Sequence, residues 1–299
     1  MFEKSVVWAD KALAASGSYQ EDLPAVPLSH LIFTLKGLNV TDEATLAEIL
    51  ARITNISVKD LGVTIFSMSG ADLFAFNVVF TGLMPILTNR DALDNTTRAI
   101  TFILPFGRKL FNPAECYPAK PQGNLKFYLD ISATETAIDG LIAQLEAVNL
   151  PGAGPGSFLK VYTKTFTAPA TGLNSVDLER GNLVAGLLLF GTTVPATTAW
   201  TASIEDCRLM ANNKEHVIAL TQWETLHGDL ILQCGYIGGL IAASGDDIVV
   251  NYGFIDLSPL GDDQHLIETD GLLSFKFQYT AGVADAIRLL PMEVVAVGG

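Results

Sequence analysis

The run Asn149–Gly156, NLPGAGPG, divides the chain into two halves of similar length. Proline lacks the amide donor and glycine loses the most conformational freedom on folding, so this composition excludes a helix or a paired strand. We therefore predict an interdomain linker over residues 151–156. The residues that define this linker are Pro151, Gly152, Gly154, Pro155 and Gly156. A linker at the middle of 299 residues predicts a duplicated chain.

Matching strand patterns support the duplication. The ranges 123–131 and 271–279 each begin with glycine and then alternate apolar with polar side chains, which predicts half-buried strands. The offset between these ranges also separates Ile56 from Ile204, each at the start of another strand-like run. Short alternating strands resemble each other in any β protein, so chance similarity is the alternative.

The strand patterns of both halves predict an all-β fold with a few short helices. In the first half they fall at 31–35, 53–58, 63–68, 73–80, 99–104 and 123–131. In the second half they fall at 158–166, 183–190, 200–209, 216–223, 230–236, 248–255, 272–279 and 287–297. About eight strands with turn signals between them are typical of a jelly roll. We therefore predict two tandem eight-stranded jelly-roll β-sandwiches, at residues 28–150 and 157–299.

Three segments carry a helical pattern. Apolar residues recur at helical spacing within 2–15, and Thr41 precedes a predicted helix with Leu46 and Ile49 on one face. A further amphipathic helix is predicted over 134–148, where it leads into the linker.

Residues 1–27 are predicted to form an N-terminal arm ahead of the first jelly roll. The large apolar side chains of this arm are Phe2, Val6, Trp8 and Leu13. Such a face packs either on its own domain or against a membrane or a neighbouring subunit, and the pattern leaves both open.

Composition limits the possible partners. Apolar residues make up 49% of the chain and charged residues only 17%, which indicates either extensive burial against partners or a large β core with an uncharged surface. The net charge of −14 and the absence of clustered Lys or Arg argue against direct wrapping of nucleic acid. Charged residues at Glu3, Lys4 and Asp10 interrupt any apolar N-terminal segment, so we expect no signal peptide and synthesis in a cytoplasm.

No constellation of residues predicts catalysis. The histidines, which are His30, His216, His227 and His265, lie at isolated positions. A jelly-roll metal site needs a closely spaced pair of imidazoles, and the sequence contains no such pair. We interpret the four as ordinary surface or loop residues. Phosphate-binding loops and nucleophile elbows are also absent from the sequence, so no enzyme is predicted.

Cysteines and acidic pairs complete the search for sites. The cysteines, Cys116, Cys207 and Cys234, are widely spaced and are interpreted as small core residues. Carboxylates group at Asp91 with Asp94, at Asp246 with Asp247 and at Asp262 with Asp263. They are interpreted either as solvated turn residues or as ligands of a structural calcium ion. No other cofactor is predicted.

Residues 56–73, ISVKDLGVTIFSMSGADL, resemble an early hairpin of phage double jelly-roll major capsid proteins. These proteins form the shells of tailless icosahedral viruses with an internal membrane, a lineage shared by many phages and adenovirus. Residues 104–108, LPFGR, and residues 117–129 are also similar. Taken with the duplication, the resemblance covers almost the whole chain.

The resemblance implies a major capsid protein in the virion, assembled in the host cytoplasm. It implies three copies per capsomer, so that six jelly rolls form a pseudo-hexagonal unit above an internal lipid membrane. The implied partners are further copies, neighbouring capsomers, minor capsid or vertex proteins and lipid, without direct nucleic acid. Two alternatives stay open: a sugar- or ligand-binding β-sandwich module, which predicts a solvent-facing aromatic cluster, and a jelly-roll enzyme, which predicts convergent His or carboxylate side chains.

Overall fold

The computed structural model describes residues 1–85, 87–88, 93–133, 136–195, 200–216, 220–234 and 248–298, with the backbone alone at 87–88, 231–234, 248 and 260. Within these residues the chain forms two compact units. The first comprises 1–162, 248 and 295–298, and the second comprises 163–234 and 249–294.

The first unit is built mainly from strands. In chain order its elements are β1 Glu3–Ala12, β2 Gly17–Asp22, β3 Leu28–Asn39, α1 Leu46–Ala51, β4 Ile53–Asp60, β5 Val63–Met68, α2 Gly70–Thr81, β6 Leu87–Thr88, β7 Thr97–Pro105, β8 Leu125–Ile131, β9 Ile138–Asn149 and β10 Ser157–Tyr162.

Two sheets face each other in this unit. Strands β1, β9, β3, β7 and β6 form one antiparallel sheet in that order, and β2, β8, β4 and β5 form the other, with β10 parallel to β5. Aromatic rings join the sheets: Phe127 in β8 lies 5.9 Å from Phe33 in β3 and 5.1 Å from Trp8 in β1, between ring centroids. The core of the first unit therefore lies between these sheets.

The second unit continues the series. Its elements are β11 Lys164–Thr167, β12 Gly172–Asp177, β13 Leu183–Gly191, β14 Asp206–Ala211, β15 Lys214–Glu215, β16 Thr221–Gln222, α3 Trp223–Cys234, a 3₁₀ helix at Ile248–Asn251, β17 Tyr252–Asp256, a 3₁₀ helix at Pro259–Gly261, β18 Ile267–Glu268, β19 Phe275–Ala281 and β20 Ala286–Ala296.

Two antiparallel sheets also enclose the core of this unit. One has the order β11, β20, β13 and β17, with β18 also paired to β13. The other has the order β12, β19, β14 and β15, with β16 also paired to β14. Leu187 and Ile287 from the first sheet and Leu209 and Phe277 from the second belong to one buried apolar cluster.

The two units repeat one topology. In the first sheet of each unit, the order β1, β9, β3, β7 of the first unit corresponds to the order β11, β20, β13, β17 of the second. In the other sheet, the order β2, β8, β4 corresponds to β12, β19, β14. The strands that follow Gly123 and Gly271 are the counterparts β8 and β19, and both glycines have positive φ, +85° and +74°. Each unit is a jelly roll, and the predicted double jelly roll is confirmed.

Several predicted strands coincide with observed ones. The predictions at 53–58, 63–68, 99–104, 183–190 and 287–297 correspond to β4, β5, β7, β13 and β20. Each of these strands pairs on at least one side with a long partner, and each shows the burial expected of a sandwich strand. At these five places the strand prediction is confirmed.

Two predicted helices are wrong because they are strands. The N-terminal segment forms β1, an edge strand whose register shifts between Val6 and Trp8 and between Trp8 and Lys11, so its alternation is interrupted. The segment after residue 137 forms β9, in which Leu141, Ala143, Leu145 and Ala147 alternate inward. Because alanines occupy core positions of this strand, the alternation of large apolar and polar residues that indicates a strand is weak in its sequence.

Two predicted strands are wrong because they are helical: residues 73–80 belong to α2, and residues 230–234 belong to α3. The predicted strand at 216–223 is described in part, with a short strand β16 at Thr221–Gln222 and the start of α3 at Trp223. The predicted strand at 248–255 begins as a 3₁₀ helix. The predicted helix after Thr41 exists as α1, but its N-cap is Thr45, whose hydroxyl accepts the amide of Glu48 at 3.2 Å.

The two compact units meet in sequence between Tyr162 and Thr163, after β10. By this division residues 151–156 belong with the first unit. The predicted domain ranges 1–27, 28–150 and 157–299 stay predictions.

Candidate functional site

The four histidines do not converge. His30 is buried in β3 at 3% exposure, His216 and His265 are exposed, and Nδ1 of His227 lies 3.2 Å from the carbonyl oxygen of Tyr252. The interpretation as surface or loop residues is therefore wrong for His30. Within the described part of the chain, no three His, Cys, Asp or Glu side chains form a group that could hold a metal ion.

Two cysteines are inert core residues, as predicted. Burial raises the pKa of Cys116 to about 11, and burial together with the charge of Asp206 raises the pKa of Cys207 to about 12. Both thiols are free and fully buried, so they stay protonated near neutral pH. The side chain of Cys234 lies outside the described residues.

The acidic loops are only partly described. Three of their residues lie outside the described ranges, namely Asp91, Asp246 and Asp247. Asp262 shapes a turn, since its Oδ1 accepts the amide of Gln264 at 3.0 Å and its carbonyl oxygen accepts the hydroxyl of Ser258 at 2.9 Å. The calcium interpretation stays a prediction.

The structure separates the four residues of the predicted arm. Trp8 is buried at 3% exposure, and its Nε1 donates to Oε2 of Glu21 at 2.8 Å. Phe2 and Val6 are 55% and 64% exposed, and Leu13 is half-buried. Trp8 therefore belongs to the core of its own unit. The prediction of a neighbour- or membrane-facing surface now concerns Phe2 and Val6.

An apolar groove of about 350 Å³ opens beside Phe2. We call it the terminal groove. Its lining consists of Met1, Phe2, Phe111, Pro113, Leu150, Pro151, Gly152 and Ala153. The groove brings together two residues of the predicted arm, Met1 and Phe2, and three residues of the predicted linker, Pro151, Gly152 and Ala153. It does not include Val6, Trp8 or Leu13.

Phe111 is the groove residue that sequence reasoning missed. Its φ is +62°, a left-handed conformation that a phenylalanine adopts only where its surroundings hold it. Its amide donates to Oγ of Ser29 at 2.8 Å, and its ring lies 5.1 Å from the rings of both Phe2 and His30. The sequence signal for this residue was weak: an aromatic side chain two residues before a proline.

His30 supports Phe111 as a neutral ring. Burial, followed by the charge of Lys4, lowers the pKa of His30 from 6.5 to about 4. Its Nδ1 lies 2.9 Å from Oγ of Ser29. Near neutral pH the imidazole therefore packs perpendicular to the ring of Phe111 without burying a charge.

A buried ion pair holds the loop that carries Phe111. Nη2 of Arg108 donates to Glu115 at 2.7 Å, Nε donates at 3.0 and 3.1 Å, and the Arg108 amide donates to the same carboxylate at 2.7 Å. The two side chains are 11% and 8% exposed. A Cβ on Gly107 would overlap the carbonyl oxygen of Glu115. The loop is thus closely fitted and fixed in place.

Backbone hydrogen bonds attach the linker to the same end of the unit. The amide of Leu150 donates to the carbonyl of Pro27 at 2.8 Å, and the amide of Gly156 donates to that of Ala114 at 3.0 Å. Gly152 has a φ of +80°, and residues 153–155 belong to neither helix nor strand. The residues predicted as a linker are therefore irregular, as expected, but held at both ends.

Across the described ranges, no helix combines the length and the apolar composition needed to cross a bilayer.

No family model matches the sequence, and no curated protein matches it. Solved structures match over nearly the whole chain. The major capsid protein of Sulfolobus turreted icosahedral virus aligns with a TM-score of 0.71 and 12% identity, covering 99% of this chain and 97% of that one. Major capsid protein P2 of bacteriophage PM2 aligns with a TM-score of 0.68 and 13% identity, covering 100% and 98%.

A third match is the capsid of the virus PBCV-1, with a TM-score of 0.63 and 10% identity, covering 98% of this chain and 93% of that one. At such identities the likeness establishes the fold. The fold is the double jelly roll of these viral major capsid proteins.

Proposed function

We propose that this chain is the major capsid protein of an icosahedral virus. The observation that carries the proposal is the match of both jelly rolls, over nearly full length, to major capsid proteins. An icosahedral shell is built from many near-equivalent parts. The repeated strand order gives each copy of this chain two such parts. The proposed role is structural and includes no catalytic step.

A homotrimer is the assembly that fits a duplicated chain. Three copies of two similar units provide six near-equivalent parts with hexagonal packing, whereas a dimer provides four. Identical chains commonly bury their interfaces by cyclic symmetry. A charged content of only 17% is compatible with interfaces on the order of 2,000 Å² or more.

The proposed partners follow from this arrangement. They are neighbouring capsomers, minor capsid or vertex proteins and an internal lipid membrane below the shell, in a virion assembled in the host cytoplasm. A lipid layer between shell and genome is compatible with a net charge of −14, since the protein then needs no contact with nucleic acid.

Light scattering and negative-stain microscopy of the purified chain test the proposal. We expect a species near three times 31.9 kDa, or larger assemblies, with hexagonal outlines. A stable monomer at micromolar concentrations, unchanged by salt, calcium or lipid, would contradict the proposal. That result would favour a ligand-binding β-sandwich module.

A further inference from the structure

We propose that residues 108–115, which we call the groove loop, open in acid when His30 binds a proton, and that Ser29 transmits the change to Phe111. Phe111 lies in the middle of this loop and lines the terminal groove. Opening of the loop therefore removes the aromatic wall of the groove and exposes more of the rings of Phe111 and Phe2. This switch is a property of the single chain and does not depend on the proposed capsid function.

A chain of hydrogen bonds joins the groove loop to the imidazole. The amide of Phe111 donates to Oγ of Ser29 at 2.8 Å, and this oxygen lies 2.9 Å from Nδ1 of His30. The hydroxyl of Ser29 accepts from the loop and donates its own hydrogen to Nδ1, which accepts it when the imidazole is protonated at Nε2 alone. The neutral imidazole thus completes the chain.

Protonation of His30 breaks the last of these hydrogen bonds. Both ring nitrogens of an imidazolium are donors, so Nδ1 no longer accepts the hydroxyl of Ser29. The hydroxyl hydrogen then loses its acceptor at a residue that is only 2% exposed. A buried donor without an acceptor is unfavourable, and opening of the loop removes this cost because it admits water.

The charged side chains near this end of the sheet come from β1, β9 and the groove loop. They are Glu3, Lys4, Arg108, Lys109, Glu115 and Glu146. Lys4 and His30 both pair with Val148, on opposite sides of β9, and β7 places the uncharged Pro105 beside His30. Burial, followed by the positive charge of Lys4, disfavours an imidazolium while the loop is closed.

The groove loop can open without unfolding the strands next to it. The ion pair of Arg108 with Glu115 joins its two ends, so these ends stay together when the middle of the loop moves. Just before the loop, the amide of Phe106 donates to the carbonyl of Ser29 at 3.0 Å. Phe111 has a left-handed φ of +62°, so its release also relieves an unfavourable backbone conformation.

The pH range of the switch follows from the pKa of His30 in the two states. Burial lowers this pKa to about 4 while the loop is closed, and an imidazole that is open to water has the ordinary value of 6.5. The open loop therefore binds the proton more tightly. Its population relative to the closed loop is constant above pH 6.5, rises roughly tenfold per pH unit below that value and levels off below about pH 4, a total of about 300-fold.

Hydrogen exchange of single amides, measured by NMR in a pH series, tests the opening. After correction for the intrinsic pH dependence of exchange, the protection of the Phe111 amide should fall by about tenfold per pH unit below pH 6.5. It should also be lower than that of Phe33, in the middle of β3, and unchanged by low urea concentrations, because a local opening exposes little surface. Equal protection and equal urea dependence at both amides would mean that Phe111 exchanges by global unfolding, and would overturn the proposal.

Two variants assign the pH dependence to the hydrogen-bond chain. In His30→Asn the side chain keeps an acceptor near the position of Nδ1 but binds no proton, so protection of the Phe111 amide should no longer depend on pH. In Ser29→Ala the link is absent, so this amide should be weakly protected at every pH. A pH dependence that persists in either variant would contradict the mechanism. His265→Asn, at an exposed site, is the matched control and should leave the pH dependence unchanged.

Nitrogen-15 NMR of the imidazole tests the direction of the hydrogen bonds independently of the loop. Near neutral pH we expect His30 to be protonated at Nε2 alone, with Nδ1 as the acceptor of the Ser29 hydroxyl. A ring protonated at Nδ1 already donates to Ser29 before acid is added. That result would rule out the proposed transmission from His30 to Phe111.

Discussion

Helices α2 and α3 occupy the same place in the two jelly rolls but are buried differently. Helix α2 follows β5, and its residues 72–78 are buried without an exposed stripe. Helix α3 follows β16 and buries Trp223, Leu226 and Leu230, while Asp229 is exposed. The helix at this place in the jelly roll is thus buried on all sides in the first unit and buried on one side in the second.

Each helix also places a polar side chain against a strand that comes later in the chain. Asn77 of α2 donates from Nδ2 to the carbonyl of Ile103 in β7 at 3.0 Å, and its Oδ1 accepts the amide of Ile103 at 2.7 Å. In α3, Nδ1 of His227 lies 3.2 Å from the carbonyl of Tyr252 in β17. Asn77 thus pairs with both backbone groups of Ile103, whereas His227 contacts one backbone carbonyl, that of Tyr252.

The largest difference between the units is expected in the connections that follow β7 and β17. Glu115→Ala leaves the guanidinium of Arg108 buried without its carboxylate, and we expect a loss of about 4 kcal/mol in the free energy of unfolding. Ser258→Ala, in the second unit, removes one exposed hydrogen bond and should cost less than about 1 kcal/mol. Urea denaturation measures both. The double variant Arg108→Met with Glu115→Met should recover stability, and no recovery would argue against an electrostatic cause.

Glycine-to-alanine substitutions in the two helices should have opposite effects on stability. A Cβ on Gly70 would overlap the carbonyl oxygen of Leu50, so Gly70→Ala should cost about 3 kcal/mol. Nothing lies within 4 Å of a Cβ on Gly228, inside α3, so Gly228→Ala should gain up to about 1 kcal/mol from helix propensity. Thermal unfolding measures the two shifts. Shifts of the same sign would contradict the difference in packing.

Acid should weaken the first unit through His30. Burial lowers the pKa of His30 to about 4, so the unfolded chain binds the proton more tightly than the folded one. Stability is unaffected above pH 6.5, falls as the pH drops below that value and levels off below about pH 4, with a total loss of up to about 3 kcal/mol. Denaturation at a series of pH values measures this loss. His30→Asn should reduce the slope, and His265→Asn, at an exposed site, should leave it unchanged.

The smallest difference in stability is expected between variants that remove the polar contacts of the two helices. Asn77→Ala leaves the amide and the carbonyl of Ile103 without their side-chain partner, and we expect a cost of about 2 kcal/mol. His227→Ala in α3 removes a single longer contact and should cost less than about 1 kcal/mol. Hydrogen exchange at the amide of Ile103 provides the local readout. Unchanged protection of that amide in Asn77→Ala would show that the contact contributes nothing.

Function is expected to respond differently from stability. We predict that His30, His216, His227 and His265 can each be replaced by Gln with little loss of assembly, because within the described residues no group of three His, Cys, Asp or Glu side chains could hold a metal ion. Particle yield, compared at equal amounts of folded protein, tests this prediction. A single histidine variant that folds but does not assemble would contradict it.

Alternating strands were predictable because half-buried positions repeat every second residue. That rule located β4, β5, β7 and β13 and identified β8 and β19 as counterparts. It failed at α2, where apolar residues on every side of the helix leave no period to read. It failed at β9 because alanines take core positions, and at β1 because bulges interrupt the alternation.

The duplication, the class of fold and the irregular run at 151–156 could be predicted from the amino-acid sequence. That Phe2, Phe111 and Pro151 line one groove could not, because it depends on how the strands pair. The start of β1, the loop after β7 and the end of β9 are distant in the chain. Antiparallel register brings them to one end of the sheet, since Glu3 pairs with Asn149 and His30 with both Val148 and Pro105. Such long-range pairing leaves no local pattern in the residues that it joins.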